Sequence, residues 1–148
     1  MGFIKKKNDK SSVEETLRNA EKFVRAQIAK KPKYGSNYAS LAEIYSEAGK
    51  NIDEAINLGK KAVELAPDFY NYYALGFSYL RKKELSKAIE KMEQSRILNP
   101  ANPWNLWRLG QAYKESGNKE KAIQVWNEAL KFNSNNRFAS SELEKIKQ

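Results

Sequence analysis

Three short blocks, "LAEIY" from residue 41, "LGFSY" from 75 and "LGQAY" from 109, recur about 34 residues apart, the period of a repeated helix-turn-helix unit. Each is followed by a second block: "DEAINLGKKAVELAP" (53–67), "SKAIEKMEQSRILNP" (86–100) and "EKAIQVWNEALKFNS" (120–134). In the middle unit Leu75, Gly76 and Tyr79 share one side of a helix, and Ala88, Met92 and Ser95 share one side of the next. The two helices can therefore close as a hairpin, with the small residue admitting close approach. "GKNID", "ELS" and "GNKEK" are short connectors, and Pro67 and Pro100 stop each second helix before the next unit begins.

Leu75, Gly76, Tyr79, Ala88 and Pro100 in the middle unit, with Leu109, Gly110, Tyr113, Gly117, Ala122, Trp126 and Ala129 in the last, resemble the tetratricopeptide repeat (TPR) family over residues 35–136. The resemblance implies an all-α fold: a right-handed TPR solenoid of antiparallel helical hairpins, with repeats at about 35–68, 69–102 and 103–136. Departures from the pattern are Ala42 in place of Gly, an extra residue in "GKNIDEA", Gly59 where a large apolar residue is usual, and Ser134 in place of the closing Pro. They are expected to loosen the first hairpin slightly. Terminal units need covers. Residues 12–31 supply Val13, Leu17, Ala20, Val24 and Ile28 along one side, opened by a capping box of Ser12 and Glu15. Residues 137–148 supply Phe138, Leu143 and Ile146. Domain organisation is thus a basic segment, 1–10, before a single domain, 11–148.

The residue inventory argues against catalysis. With neither Cys nor His, the chain lacks thiolate nucleophiles, disulfides, the commonest neutral-pH base and nearly every zinc arrangement. Glu43 with Glu47, or Lys114 with Glu115, are ordinary helix-surface charges, with no phosphate loop or metal cluster beside them. No enzyme activity, metal or cofactor is expected. No apolar run is long enough to span a membrane, the opening "MGFIKKKNDKSS" does not read as a signal peptide, and Lys6 stands where myristoylation needs Ser or Thr. A cytoplasmic location is expected.

What the hairpins leave over is aromatic. Tyr70, Tyr73 and Phe77 lie about 200° around the helix from the hairpin side of the second unit. In the third unit Trp104, Trp107, Arg108 and Gln111 are placed likewise, with Arg81 and Lys114 as further cations; the first unit offers Ser36, Ala39, Ser40, Glu43 and Glu47. In the family this side of each first helix lines a concave groove that receives peptides or helices. The five rings, if half exposed, would present roughly 400–600 Å² of apolar surface, enough for a binding site. The competing reading makes them core, since a helix apolar all round is usually buried.

The resemblance also allows one ligand mode to be tested. Family members that bind acidic chaperone tails use a clamp of Lys and Asn with one Arg, and those places hold Ala39, Glu43, Ala74, Trp104 and Arg108. Only Arg108 matches, so no chaperone-tail binding is expected. The expected function is a protein-protein interaction module, an adaptor or scaffold, holding an apolar or aromatic segment with an acidic flank. The alternative is a structural protein that self-assembles through the same rings. The net charge of +9 and the basic segment 1–10 suggest a weak secondary contact with an anionic membrane. Nucleic acid is not expected, because no base-reading pair repeats across the units.

Overall fold

In the computed structural model, residues 10–147 are described, and they fold as eight helices in a row. These are α1 (Lys10–Lys30), α2 (Gly35–Ala48), α3 (Ile52–Leu65), α4 (Phe69–Lys82), α5 (Leu85–Leu98), α6 (Pro103–Glu115), α7 (Lys119–Phe132) and α8 (Arg137–Ile146). Three hairpins, α2/α3, α4/α5 and α6/α7, stack side by side, each second helix also packing on the first helix of the next unit. α1 packs on α2, and α8 packs on α7. The result is a solenoid of the expected all-α class. No described helix is long and apolar enough to cross a membrane.

The repeat is written into the helix starts. Asp68, Asn102 and Asn136 stand at one position of successive units, and each side chain accepts the backbone N–H three residues on, from Asn71, Asn105 and Ala139 respectively. Such caps stabilise a helix start by about 1 kcal/mol each. The same cap at Asn136 starts α8 as Asp68 and Asn102 start α4 and α6. In α8 and at its C-cap, exposed Glu144 and Lys147 take the places of the hairpin-closing Gly110 and Tyr113. α1 needs one correction. It is already helical at Lys10, so Ser12 and Glu15 lie inside the helix and form no capping box; the Ser12 carbonyl instead accepts the Thr16 hydroxyl.

Packing inside the hairpins is close enough to exclude a single methyl group. A Cβ on Gly76 would meet Met92 Cγ at 2.6 Å, and one on Gly110 would meet Trp126 Nε1 at 2.1 Å. Trp126 is fully buried and its indole N–H donates to the Trp107 carbonyl at 3.1 Å. Burying an aromatic side chain of this kind stabilises by roughly 1.5–3 kcal/mol. Gly59 does not loosen the first unit as expected: a Cβ there would stand 3.0 Å from Leu75 Cα, so the glycine lets α3 seat directly on α4. The α1 stripe behaves unevenly, with Val24 and Ile28 packed against the first core cluster but Val13 61% exposed.

Candidate functional site

The first helices of the units, α2, α4 and α6, together with α8, turn one set of side chains toward each other across the concave side. At the α2 end, the Tyr70 hydroxyl donates to Glu43 Oε2 at 2.5 Å and lies 3.3 Å from Ser40 Oγ. Burial pushes the Glu43 carboxyl above its ordinary value; the Tyr70 hydrogen bond opposes this, Glu47 adds to it and Arg108 opposes it. Burial likewise raises the phenols of Tyr70 and Tyr73, and Glu43 raises them further.

The rings then form a continuous file. Tyr70 and Tyr73 have centroids 6.3 Å apart, and Tyr73 stacks with Phe77 at 6.0 Å. Arg108 continues the file, its guanidinium carbon 4.2 Å from the Phe77 centroid and 3.8 Å from that of Trp107. Trp107 stacks on Phe138 at 4.4 Å, and Phe138 meets Trp104 at 4.9 Å. Arg108 is thus held between two ring faces, a placement that suits a delocalised and weakly hydrated cation. Its Nη2 donates to Glu47 on α2 at 2.9 Å and its Nη1 to Gln111 at 3.1 Å. Gln111 and the Trp107 indole in turn donate to Glu142 on α8, each at 3.3 Å.

This arrangement corrects the expected surface. Tyr73 and Phe77 are only 3% and 1% exposed, because Arg108 and its neighbours close over them and join them to the core. The reading of half-open rings fails for these two, and core packing holds for them. Arg81 is drawn aside: its Nε donates at 2.8 Å to the Ser46 carbonyl near the end of α2, which also accepts the Gly49 N–H. Within this file the exposed rings are at the far end, where Trp104 is 48% and Phe138 41% exposed, beside partly buried Trp107. Pro103, Trp104, Asn136, Arg137 and Phe138 border a hollow of about 220 Å³ there. Gln111, Lys114, Glu142 and Lys145 line a second hollow, of about 240 Å³, between α6 and α8.

Phe138 and Glu142 were not among the expected site residues. Their signal was nevertheless present, since they follow Trp104 and Arg108 by one repeat length. Among the described residues no group of His, Cys, Asp and Glu could hold a metal ion. The basic cluster Lys5, Lys6 and Lys7, and the membrane contact expected of segment 1–10, fall outside the described residues except for Lys10.

Comparison with known proteins agrees with this architecture. The family model described as "Tetratricopeptide repeat" matches residues 103–136. A tetratricopeptide repeat domain-containing protein, PYG7, chloroplastic, of Arabidopsis thaliana is 31% identical over 107 residues, 71% of this chain and 34% of that protein. The chain spans 34% or less of the length of the curated relatives it matches. A thermophilic TPR protein of Thermus thermophilus superposes with a TM-score of 0.79 at 18% identity, over 89% of this chain and 73% of that one. The first TPR of Spaghetti (RPAP3), bound to the HSP90 peptide SRMEEVD, gives a TM-score of 0.70 at 25% identity, over 78% of this chain and 94% of that one.

Proposed function

The chain belongs to the tetratricopeptide repeat family, and from that premise we propose that it is a non-catalytic adaptor or scaffold that holds a partner's peptide segment at the α6/α8 end of its concave face. The observation that carries this is the open stack of Trp104 and Phe138 on Trp107, with exposed Arg137 beside it and exposed Lys114 further along α6. Rings presented this way supply large contact area at low entropic cost, as binding hot spots do. The segment that fits is apolar or aromatic with an acidic flank.

The peptide-bound neighbour supports a peptide ligand in general but not an acidic chaperone tail. Of the clamp positions only Arg108 has the required chemistry, and its guanidinium already pairs with Glu47 beneath the rings. Glu43 and Glu47 would also repel an acidic ligand at that end.

The test compares captured partners of the wild type and a Trp104→Ala, Phe138→Ala variant, after circular dichroism has shown equal helicity. Both rings are 41% exposed or more, so the fold should tolerate their removal. A partner lost only with the variant supports the reading. Identical partners, with a solution mass above 17.0 kDa that falls in the variant, would transfer these rings to self-assembly.

A further inference from the structure

The solenoid has two edges, and they differ in chemistry. One carries the connectors from each second helix to the next first helix, at residues 31–34, 66–68, 99–102 and 133–136; the other carries the turns within hairpins. Eight large hydrophobic side chains are exposed among the described residues, and all but Val13 and Phe23 of α1 lie at or beside the connector edge: Tyr34, Ile97, Leu98, Trp104, Phe132 and Phe138. Ile97 is 78% exposed, the highest of all, and Leu98 and Phe132 occupy one position of successive units at 53% and 51%.

The unpaired charges on that edge are basic. Lys30, Lys33, Lys131 and Arg137 are exposed and pair with no carboxylate among the described residues, and Lys31 lies 6.0 Å over the Tyr34 ring. Of the carboxylates there, Glu64 pairs with Lys61 and Asp68 caps α4. On the opposite edge most lysines are paired: Lys50 with Glu14, Lys82 with Asp53, Lys83 with Glu115 and Lys87 with Glu84, while Lys114 and Lys119 are exposed without a carboxylate partner among the described residues.

We propose that the connector edge docks the protein on an anionic lipid surface, with Ile97, Leu98 and Phe132 entering the interface and Lys31, Lys33, Lys131 and Arg137 at headgroup level. Aromatic and aliphatic side chains interleaved with lysines are what an anionic interface attracts. A second copy of the chain is a poor occupant, because a symmetric contact would set this row of cations against itself. The connector edge meets the concave site at Trp104, Arg137 and Phe138, but Ile97, Leu98 and Phe132 take no part in that site, so substituting these three tests the edge alone.

The test is co-sedimentation of the full chain with phosphatidylcholine vesicles, with and without phosphatidylserine, at low and high salt. Binding to the phosphatidylserine vesicles alone, released by salt, is expected. An Ile97→Ser, Leu98→Ser, Phe132→Ser variant should partition about tenfold less while keeping helicity and partner capture. A wild type that stays in the supernatant at low salt overturns the proposal. So does binding that survives this variant but vanishes with Lys5→Glu, Lys6→Glu, Lys7→Glu. Retention of wild type and variant alike on a polyglutamate resin, without vesicle binding, would assign the edge to an acidic macromolecule and overturn the lipid reading.

Discussion

Arg108 on α6 and Glu47 on α2 form an ion pair of 2.9 Å across the concave face, although 61 residues separate them in the chain. The pair ties the third unit to the first over the top of the second and keeps Phe77 out of water. Because the Glu47 side chain is 50% exposed, the charge pairing itself contributes little, under about 1 kcal/mol. The packing of the guanidinium on two rings contributes more.

Arg108→Ala should therefore destabilise by about 2 kcal/mol in urea denaturation, and Glu47→Gln by less than about 1 kcal/mol. Arg108→Lys should recover little, since an ammonium cannot stack on both rings as a planar guanidinium does. A larger effect from Glu47→Gln than from Arg108→Ala would mean that the charge, and not the stack, holds the face closed.

Gly110 and Gly117 separate close packing from backbone strain. Gly110→Ala gains up to about 1 kcal/mol of helix propensity but places a methyl 2.1 Å from the fixed Trp126 indole, so a net loss of about 2 kcal/mol or more is expected. Gly117 has φ +90 and nothing within 4 Å, so Gly117→Ala should cost only about 1 kcal/mol, through the backbone alone. Equal denaturation midpoints for the two variants would contradict this account of the hairpin.

The pH dependence carries a sign. Burial raises the Glu43 carboxyl above its ordinary 4.5, so the folded state holds its proton to higher pH than the unfolded chain does. Its contribution is complete below 4.5 and is lost as pH rises through the raised value. Glu21 acts oppositely: hydrogen bonds from Tyr45 and Arg25 lower it, and its contribution is lost as pH falls. Glu43→Gln still offers Tyr70 an acceptor and should lose less stability than the wild type between 4.5 and neutrality. An unchanged pH profile would mean that Glu43 is not the group responsible.

An acidic chaperone tail should give no measurable heat when the peptide SRMEEVD is titrated into the protein. Micromolar binding, abolished by Arg108→Ala, would show that Glu47 releases the guanidinium and that the clamp position is functional.

The sequence made legible whatever depends on local periodicity. Leu75, Gly76 and Tyr79 close on Ala88, Met92 and Ser95 because one helical repeat sets both faces, and the 34-residue recurrence sets their order. Which rings stay open was not legible, because that depends on how far one unit swings over the next. Phe77 and Trp104 lie on corresponding sides of their helices, yet Arg108 covers the first and leaves the second half exposed. Nor was the role of Gly59 legible, because the contact that requires it is with Leu75 of the next unit.

The three tryptophans offer the most direct test of the binding surface. The chain has only Trp104, Trp107 and Trp126, so a nitrogen-proton correlation spectrum shows three indole signals, one of them fully buried in the third hairpin. Titration with the partner segment recovered by capture should shift the Trp104 and Trp107 indoles and leave Trp126 in place. Binding that leaves the Trp104 and Trp107 signals where they were would contradict a peptide site at the α6/α8 end of the concave face.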